Sequence, residues 1–497
     1  MENLCCLLER NARKLSGEKA LIHPASGREW TWQQLAERVE ALARELVGRG
    51  LVADDRVGIY LNNTPEFIVA LFGAWQAGTA VVPINPKMTA AEASYLLQDS
   101  GAAGLVYADA LQAQVDQLDP AIKLKVALPA SRLEQLSRPE APVELPGKAQ
   151  SAEAVAEIIY TSGTTGRPKG VVLTHDAVYH TANMFMYETS VRRHQKMLIL
   201  MPLTHSAPLN LSLLAAVMAG ATIILGDYMP ADFLRWAESY QIDHFFGAPV
   251  AYLLPLTLPE FQQTRLPVAT WCHGGAPLGK EKVELLMAKY PGNIASLYGL
   301  TEAGPNGVAL MGEEHRQHPG SIGRLGTVNA EIRVISEAGA AVQPGEVGEI
   351  IIKTPTAMRK YLNNPEATAE TLRDGWVYTG DLGYVDEEGY IFVLDRKKDM
   401  IITGGVNVYP KEIEDTLAQL PQVLEAAVFG VPHPDWGETV CAAIVLKPGQ
   451  QLSQAEVVQF CRQLLAEYKV PRKLEFVEVL PRNANGKVLK KVLKEMM

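Results

Sequence analysis

The chain has 497 residues, of which 47% are hydrophobic and 21% are charged, and its formal net charge is -10. This composition excludes a disordered or fibrous protein, and the length exceeds what one hydrophobic core usually supports, so we expect at least two domains. The acidic balance excludes a general affinity for nucleic acid. A phosphate-bearing ligand would therefore need positive charge that is placed locally.

Cysteine usage and hydropathy bear on the compartment. The five cysteines are scattered, and they have neither the spacing of zinc ligands nor the pattern of a disulfide framework, which favours a reducing cytoplasm. The apolar run near the N-terminus is too short for a signal peptide. The most apolar stretch, residues 211–225, is shorter than the roughly 20 residues that cross a bilayer, so we expect no integral membrane segment.

Helix-like and strand-like segments alternate in the first part of the chain. The patterns predict an amphipathic helix over residues 31–50, a strand over 56–61, a helix over 66–77 and a strand over 79–84. Residues 211–225 predict a buried helix followed by a buried strand. This alternation is typical of parallel sheets covered by helices, so the predicted fold class is α/β.

The pattern changes after about Glu331. Short alternating segments with glycine-rich turns, such as residues 349–353 and 389–393, predict a small antiparallel unit. The charged run 395–399 precedes a further strand and a helix over residues 410–420. We therefore predict a domain boundary at Asp395, with an N-terminal domain of residues 1–395 and a small α+β domain of residues 396–497.

The strongest candidate for ligand binding is the loop at residues 161–170, between two short apolar strands. Glycines allow a ligand close to the backbone, while hydroxyl and N–H groups donate hydrogen bonds and a lysine adds charge, so the loop could wrap phosphate oxygens. It is not a Walker A loop, because no Gly-Lys-Ser/Thr sequence opens a helix here. The residues concerned are Thr161, Ser162, Gly163, Thr164, Thr165, Gly166 and Lys169.

Three further segments carry groups that suit a nucleotide. Residues 298–302 contain an aromatic ring in Tyr298, a hydroxyl in Thr301 and a carboxylate in Glu302, which suit a base, a phosphate oxygen and Mg2+. Asp381 follows a glycine and could accept hydrogen bonds from both ribose hydroxyls. Lys487 lies in a basic turn near the C-terminus. Taken singly, these segments equally fit a common Tyr-Gly turn, an exposed aspartate and a solvated lysine.

Taken together and in this order, the motifs resemble those of the adenylate-forming superfamily, which comprises acyl-CoA synthetases, luciferases and the adenylation domains of peptide synthetases. The resemblance extends over residues 31–491 and is most specific at residues 161–170, 298–302, 378–381, 395–414 and 486–487. It implies a large N-terminal domain and a small mobile C-terminal lid, with Asp395 as the hinge. The lid sequence is most similar to that of bacterial fatty-acyl-CoA ligases.

The resemblance also implies roles for individual residues, with ATP, Mg2+ and CoA as cofactors. Residues 161–169 would hold the ATP phosphates, Glu302 and Thr165 would bind Mg2+, and Lys487 would contact both the carboxylate and the α-phosphate. The resemblance assigns the adenine to Tyr298 and the loop of Gly274, Gly275, Ala276 and Pro277, and the ribose to Asp381 and Arg396. It also counts Gly299 and Thr301 among the residues that bind the cofactor. The predicted catalytic residues are Lys487, Glu302, Thr165 and His205.

His205 lies in a segment that resembles the border of the acyl pocket in the family, although the residues alone equally fit a buried histidine. No aspartate follows this segment to pair with a substrate ammonium, which argues against an amino acid, because a buried ammonium without a counter-charge is costly. The predicted pocket wall is mostly apolar and suits a fatty or aryl group. It comprises His205, Phe246, Gly247, Ala248, Val250, Trp271, His273 and Gly274.

The prediction is an acid–thiol ligase that converts a small-molecule carboxylic acid into an acyl-adenylate and passes the acyl group to CoA, releasing AMP and pyrophosphate. Medium- or long-chain fatty acids are favoured over aromatic acids. The alternatives are an aryl-acid CoA ligase, a stand-alone adenylating enzyme that loads a carrier protein or an amine, and a non-catalytic acyl or nucleotide sensor. The sequence leaves the oligomeric state open.

Overall fold

The computed structural model describes residues 3–136, 144–161, 167–276, 278–482 and 488–496. The chain divides into two compact units, of which the first is Met1–Ile332 with Ile352–Tyr378 and the second is Arg333–Ile351 with Thr379–Met497. The predicted boundary at Asp395 concerns movement about a hinge and stays a prediction. Within the described ranges, no helix is both long and apolar enough to cross a membrane. All five cysteines are free thiols.

Sixteen α-helices lie in the described parts of the chain. In order they are α1 Cys6–Lys14, α2 Trp32–Gly48, α3 Pro65–Gln76, α4 Ala90–Ser100, α5 Gln112–Val115, α6 Ala130–Glu134, α7 His175–Thr189, α8 Leu214–Ala219, α9 Pro230–Tyr240, α10 Pro249–Leu253, α11 Lys280–Lys289, α12 Gly312–Gln317, α13 Pro365–Thr371, α14 Pro410–Leu417, α15 Gln454–Leu464 and α16 Lys490–Met496. A π-helical segment, Ala207–Leu213, leads directly into α8.

The strands of the first 311 residues are β1 Lys19–His23, β2 Arg28–Thr31, β3 Arg56–Tyr60, β4 Ala80–Pro83, β5 Gly104–Tyr107, β6 Val126–Pro129, β7 Val155–Thr161, β8 Lys169–Thr174, β9 Lys196–Ile199, β10 Thr222–Leu225, β11 His244–Gly247, β12 Ala269–Gly274, β13 Gly292–Leu300 and β14 Asn306–Met311. Those that follow are β15 Glu331–Ile335, β16 Val347–Lys353, β17 Lys360–Tyr361, β18 Leu372–Arg373, β19 Trp376–Val385, β20 Ile391–Arg396, β21 Ile401–Thr403, β22 Val406–Val408, β23 Val423–His433, β24 Gly437–Leu446 and β25 Lys473–Phe476.

The first unit contains two large sheets with parallel interiors. One has the order β14-β13-β12-β11-β9-β10-β1-β2, and the other has the order β17-β8-β7-β4-β3-β5-β6. Antiparallel pairs occur at their edges, namely β13 with β14, β1 with β2, and β8 with both β7 and β17. The predicted α/β class with parallel sheets is confirmed.

One buried core contains residues of both sheets and of the helices α2, α3, α7 and α8. Thr31 caps the N-terminus of helix α2: its hydroxyl accepts a hydrogen bond from the N–H of Gln34, and its own N–H donates one to Oε1 of Gln34. This capping box fixes the predicted start. Its stripe of apolar residues packs on α3, and all residues of α3 are buried. These central helices therefore fix how the sheet edges that carry the candidate site are placed.

The second unit has its own core. Strands β22-β21-β24-β23 form a sheet to which β25 adds in parallel beside β24, and side chains of α14 and α15 complete the core. Strands β19 and β20 pair antiparallel, with Asp381 opposite Arg396. The antiparallel strand pairing predicted for the later part of the chain is thus confirmed.

Candidate functional site

The carboxyl ends of β7 and β13 bring the predicted phosphate loop and the predicted magnesium carboxylate together. Thr161, the last residue of β7, donates through Oγ1 to Oε1 of Glu302 at 3.4 Å. Glu302 lies in one turn of 3-10 helix immediately after β13. Because β7 and β13 belong to different sheets, this contact joins the two sheets at their functional edges.

A tyrosine that sequence reasoning missed completes this junction. The hydroxyl of Tyr361 donates to Oε1 of Glu302 at 2.7 Å, and Nζ of Lys169 lies 4.9 Å from the centre of the Tyr361 ring. Strand β17 places Tyr361 there, because it pairs with β8, which begins at Lys169. No local signal marks the tyrosine, since it lies 59 positions from Glu302.

The turn after Glu302 is closely packed. Gly304 has φ +65°, and a Cβ there would lie 2.2 Å from the carbonyl oxygen of Thr356. Its own carbonyl accepts a hydrogen bond from Thr181, and the carbonyl of Glu302 accepts one from the N–H of Met358. Only glycine fits at this position, and the carboxylate is held on a fixed backbone.

The residues predicted to hold adenine also meet at a sheet edge. Strands β12 and β13 are parallel, and Gly274 lies opposite Leu297, so Tyr298 follows directly beside the loop that begins at Gly274. A Cβ on Gly274 would lie 2.6 Å from the carbonyl oxygen of Leu297, which explains the glycine. Gly275 and Ala276 are exposed and Tyr298 is half-buried, so both sides of the expected base site are accessible.

The predicted acyl segment is hydrogen-bonded to the turn that contains Glu302. Ser206 and Thr301 share a hydrogen bond between their hydroxyl oxygens at 2.8 Å. His205 precedes this contact, and burial lowers the pKa of its imidazole, so the ring is neutral near pH 7. Ser206 was not predicted, because a serine beside a histidine has no distinctive spacing.

The structure brings some residues of the predicted pocket wall together and separates others. The Phe246 ring lies against Gly274, since a Cβ on that glycine would be 3.2 Å from the ring, and Phe246 meets Phe185 edge-on. Trp271 instead packs beside Tyr290 in a different core of the first unit. Phe246 lies opposite Cys272, and successive strand positions face opposite sides of a sheet, so Trp271 faces away from Phe246. Gly247, Ala248 and Val250 continue from β11 into α10, and Val250 is exposed.

His273, another wall residue, forms a buried pair with His315 of α12. Their Nε2 atoms are 2.9 Å apart, so one ring donates a hydrogen bond and the other accepts it. Burial, together with His315, lowers the pKa of His273 to about 3, and burial lowers that of His315 to about 4. Both rings are therefore uncharged near neutral pH.

In the second unit, the two residues predicted to hold ribose contact each other. Nε of Arg396 lies 2.6 Å from Oδ1 of Asp381 across β19 and β20, and Asp381 is buried. The predicted hinge residue, Asp395, accepts a hydrogen bond from the N–H of Lys411 at the start of α14. Burial raises the pKa of the Asp395 carboxyl.

Several predicted site residues lie outside the described part of the chain, and their roles stay predictions. They are Ser162, Gly163, Thr164, Thr165 and Gly166 of the phosphate loop, Pro277 of the adenine loop, and Lys487.

Comparison with known families gives two matches that together cover most of the chain. The family model of the AMP-binding enzyme matches residues 8–362. The family model of the AMP-binding enzyme C-terminal domain matches residues 412–487.

Similar proteins act on different acids. The chain is 35% identical to the long-chain-fatty-acid–CoA ligase FadD13 of Mycobacterium tuberculosis, over 100% of this chain and 98% of that protein. It is 36% identical to a feruloyl-CoA synthase of an Amycolatopsis species, over 97% of this chain and 96% of that protein. The structure of O-succinylbenzoate coenzyme A synthetase from Bacillus subtilis with ATP and magnesium has a TM-score of 0.88 and 29% identity, covering 99% of each chain.

The histidine pair predicts how stability depends on pH. An unfolded histidine has a pKa of about 6.5, whereas the pKa of His273 is about 3 and that of His315 about 4 in the folded chain. Between these values the unfolded chain binds more protons, so the stability present above pH 6.5 is lost as the pH falls, by up to about 1.4 kcal/mol per pH unit for each histidine. We expect a smaller pH dependence of the denaturation midpoint in His273→Gln/His315→Gln, which keeps donors and acceptors but cannot titrate.

The control for this measurement is His194→Gln, at an exposed histidine of the same unit. It should change the pH dependence of the midpoint much less than the double variant does, because an exposed ion pair such as that of His194 with Glu18 contributes little to stability. Identical pH profiles for the double variant and the wild type would contradict the assignment of a neutral buried pair.

Proposed function

Because the chain belongs to the AMP-binding enzyme family and is an ATP-dependent, AMP-forming acyl-CoA ligase, we propose that its acid is a medium- or long-chain fatty acid. The observation that carries this proposal is the absence of charge on the proposed pocket wall. None of the wall residues is a lysine or arginine, and burial lowers the pKa of both His205 and His273. A second carboxylate on the substrate would lack a counter-charge there, whereas an alkyl chain gains about 0.8 kcal/mol per buried methylene.

The second candidate is an aryl acid. The chain is as similar to a feruloyl-CoA synthase as to a long-chain-fatty-acid–CoA ligase. A neutral His205 could also accept a hydrogen bond from a ring hydroxyl. The two candidates differ in how activity should change with chain length, which makes them separable.

The first half-reaction joins two anions. A carboxylate oxygen of the acid attacks the α-phosphorus of ATP, the acyl-adenylate forms, and pyrophosphate leaves. Positive charge has to gather around both reactants to overcome their repulsion. We assign this role to Lys169 at the phosphates and to Lys487 between the carboxylate and the α-phosphate, with Thr161 and the following loop holding the phosphate oxygens.

Glu302 and Thr165 are proposed to hold Mg2+, which would neutralise phosphate charge when bound. The part of the chain that the structure describes contains no cluster of three or more His, Cys, Asp or Glu residues that could hold a metal by itself. This fits Mg2+, which is commonly bound through one or two carboxylates plus substrate phosphates. Tyr361 and Thr161 both donate to Oε1 of Glu302, so these two residues would orient the carboxylate that would hold the ion.

The second half-reaction transfers the acyl group. The CoA sulfur bonds to the carbonyl carbon of the acyl-adenylate, its proton is lost to solvent or a base, and AMP leaves. We propose that the second unit's residues 396–497 act as a lid that turns at Asp395, so that Lys487 serves adenylation and then gives way to the thiol. Excluding water in the first step protects the mixed anhydride from hydrolysis.

The acid preference is tested with matched substrates. Purified protein with ATP, Mg2+ and CoA should release AMP and pyrophosphate with straight-chain acids, and kcat/KM should rise about fourfold per added methylene until the pocket is filled. Dodecanedioic acid, which differs from dodecanoic acid by one terminal carboxylate, should have a kcat/KM lower by at least about 100-fold, because burying an unpaired charge costs several kcal/mol. A preference for ferulic acid, or equal kcat/KM values for dodecanoic and dodecanedioic acid, would contradict the fatty-acid proposal.

Lys487→Ala separates the two half-reactions. We expect it to slow adenylation by at least about 100-fold, since a removed charge donor to a developing anion costs that much, while thioester formation from supplied acyl-adenylate stays near wild type. Lys490→Ala is the matched control, because Lys490 lies close by in sequence but pairs with Glu414 at 2.9 Å. An equal loss in both half-reactions of Lys487→Ala would show that the lysine does not act specifically in adenylation.

Tyr361→Phe tests how Glu302 is oriented. The phenyl ring keeps the contact with Lys169, but the hydroxyl that donates to Oε1 of Glu302 is lost. We expect the Mg2+ concentration for half-maximal adenylation to rise about tenfold, because a hydrogen bond to a charged group contributes about 1.5–3 kcal/mol. The KM for the acid should not change.

Tyr107→Phe is the control for Tyr361→Phe, since it removes a hydroxyl that donates to Gln112 at 2.7 Å elsewhere in the first unit. Its Mg2+ dependence should match that of the wild type. If Tyr361→Phe behaves in the same way as this control, Tyr361 does not orient the proposed magnesium ligand.

A further inference from the structure

A buried carboxyl group lies close to the site without belonging to it. Glu157 is on β7 and is fully buried, and its Oε1 accepts a hydrogen bond from Nδ2 of Asn210 at 2.6 Å. Asn210 is also fully buried and lies in the π-helical segment Ala207–Leu213. Neither side chain has a role in the half-reactions described above.

The two side chains match each other chemically. Burial raises the pKa of Glu157 to about 7, so its uncharged form is well populated near neutral pH. An uncharged carboxyl group and a primary amide each carry a donor and an acceptor, so they can pair inside a protein. Oε2 of Glu157 and Oδ1 of Asn210 have no hydrogen-bond partner among the described residues, so the bond between Oε1 and Nδ2 is what links the two groups.

The pair is one of three side-chain hydrogen bonds that form a closed circuit in the first unit. Thr161 bonds Glu302, Thr301 bonds Ser206, and Asn210 bonds Glu157. The backbone connects these three bonds, because residues 301 and 302 are adjacent and residues 157 and 161 are both on β7. Ser206 is the N-cap of the π-helical segment that contains Asn210. The Glu157–Asn210 bond is thus the one of the three that contains no residue proposed to bind a reactant.

We propose that Glu157 and Asn210 are positioning residues that fix the distance between the strand leading to the phosphate loop and the segment carrying His205. The proposal rests on the proposed function only in assigning ATP to the first of these and the acid to the second. A polar pair is suited to this task, because a hydrogen bond fixes distance and direction, whereas the burial of apolar side chains is not directional. Interruptions of α-helical geometry by π turns are also frequent at functional sites.

The test compares four variants by ATP–pyrophosphate exchange and by direct binding of ATP. Glu157→Leu and Asn210→Leu should each raise the KM for ATP and the KM for the acid together, by about tenfold, since displacements of about 1 Å can cost 100-fold in rate. Glu157→Gln should stay within about twofold of wild type, because the amide keeps a donor and an acceptor. The double leucine variant should be no worse than either single variant, as expected for residues that act as a unit.

The control for an effect of lowered stability is Thr79→Val. It removes a buried hydrogen bond, from the Thr79 hydroxyl to the carbonyl oxygen of Ala74, that is not part of the circuit. It should lower the melting temperature with no change in either KM. Where a single leucine variant does not fold, the double variant decides the question, because it leaves no buried polar partner unpaired. A folded double variant with wild-type KM values, or a Glu157→Gln variant as impaired as Glu157→Leu, would overturn the proposal.

The outcome is distinguishable from failure of the proposed function. The assay uses whichever acid the wild type accepts, and binding of ATP does not depend on the acid. If ferulic acid proves to be the substrate, the fatty-acid proposal fails and the positioning of the two segments is still measured.

Discussion

Hydrogen bonds that converge on Glu302 hold together the functional ends of two separate sheets. Parallel strands gather side chains at their carboxyl ends, but the ends of different sheets share no backbone ladder that would fix their distance. Side chains have to do this, and here Thr161 and Tyr361 both donate to one carboxylate oxygen. The closely packed turn at Gly304 and the shared hydrogen bond of Thr301 with Ser206 extend the same junction to the acyl segment.

Charged and uncharged side chains lie in different parts of the candidate site. Lys169 and Glu302 lie where a phosphate and a hard cation would be expected, and both are linked to Tyr361. The groups that border the proposed acyl pocket are instead held uncharged by burial, as the lowered pKa values of His205 and His273 indicate. Such an arrangement suits a substrate with one charged end. That end would meet groups that compensate its charge, while an uncharged tail would meet uncharged side chains.

The sequence was informative where function depends on a local pattern and silent where it depends on long-range contacts. The loop that begins at Thr161 and the segment ending at Glu302 could be found from residue types in short windows, and the hydrogen bond between Thr161 and Glu302 is now seen. Tyr361 and His315 could not be found, because each acts through a partner on a distant strand or helix. Pairing of Trp271 with Phe246 in one wall was expected from their apolar character, but the alternation of strand positions sends them to opposite faces.

The π-helical segment Ala207–Leu213 makes this part of the chain sensitive to length rather than to composition. Most of its residues are apolar and buried, so exchanges among apolar side chains of similar volume would be tolerated. Deleting one residue would not be tolerated, because it would rotate the side chains on one side of the deletion by about 100° relative to those on the other side. Asn210 and Ser206 would then no longer face their partners at the same time. Among homologous chains, insertions and deletions should therefore be excluded from these residues even where their amino acids vary.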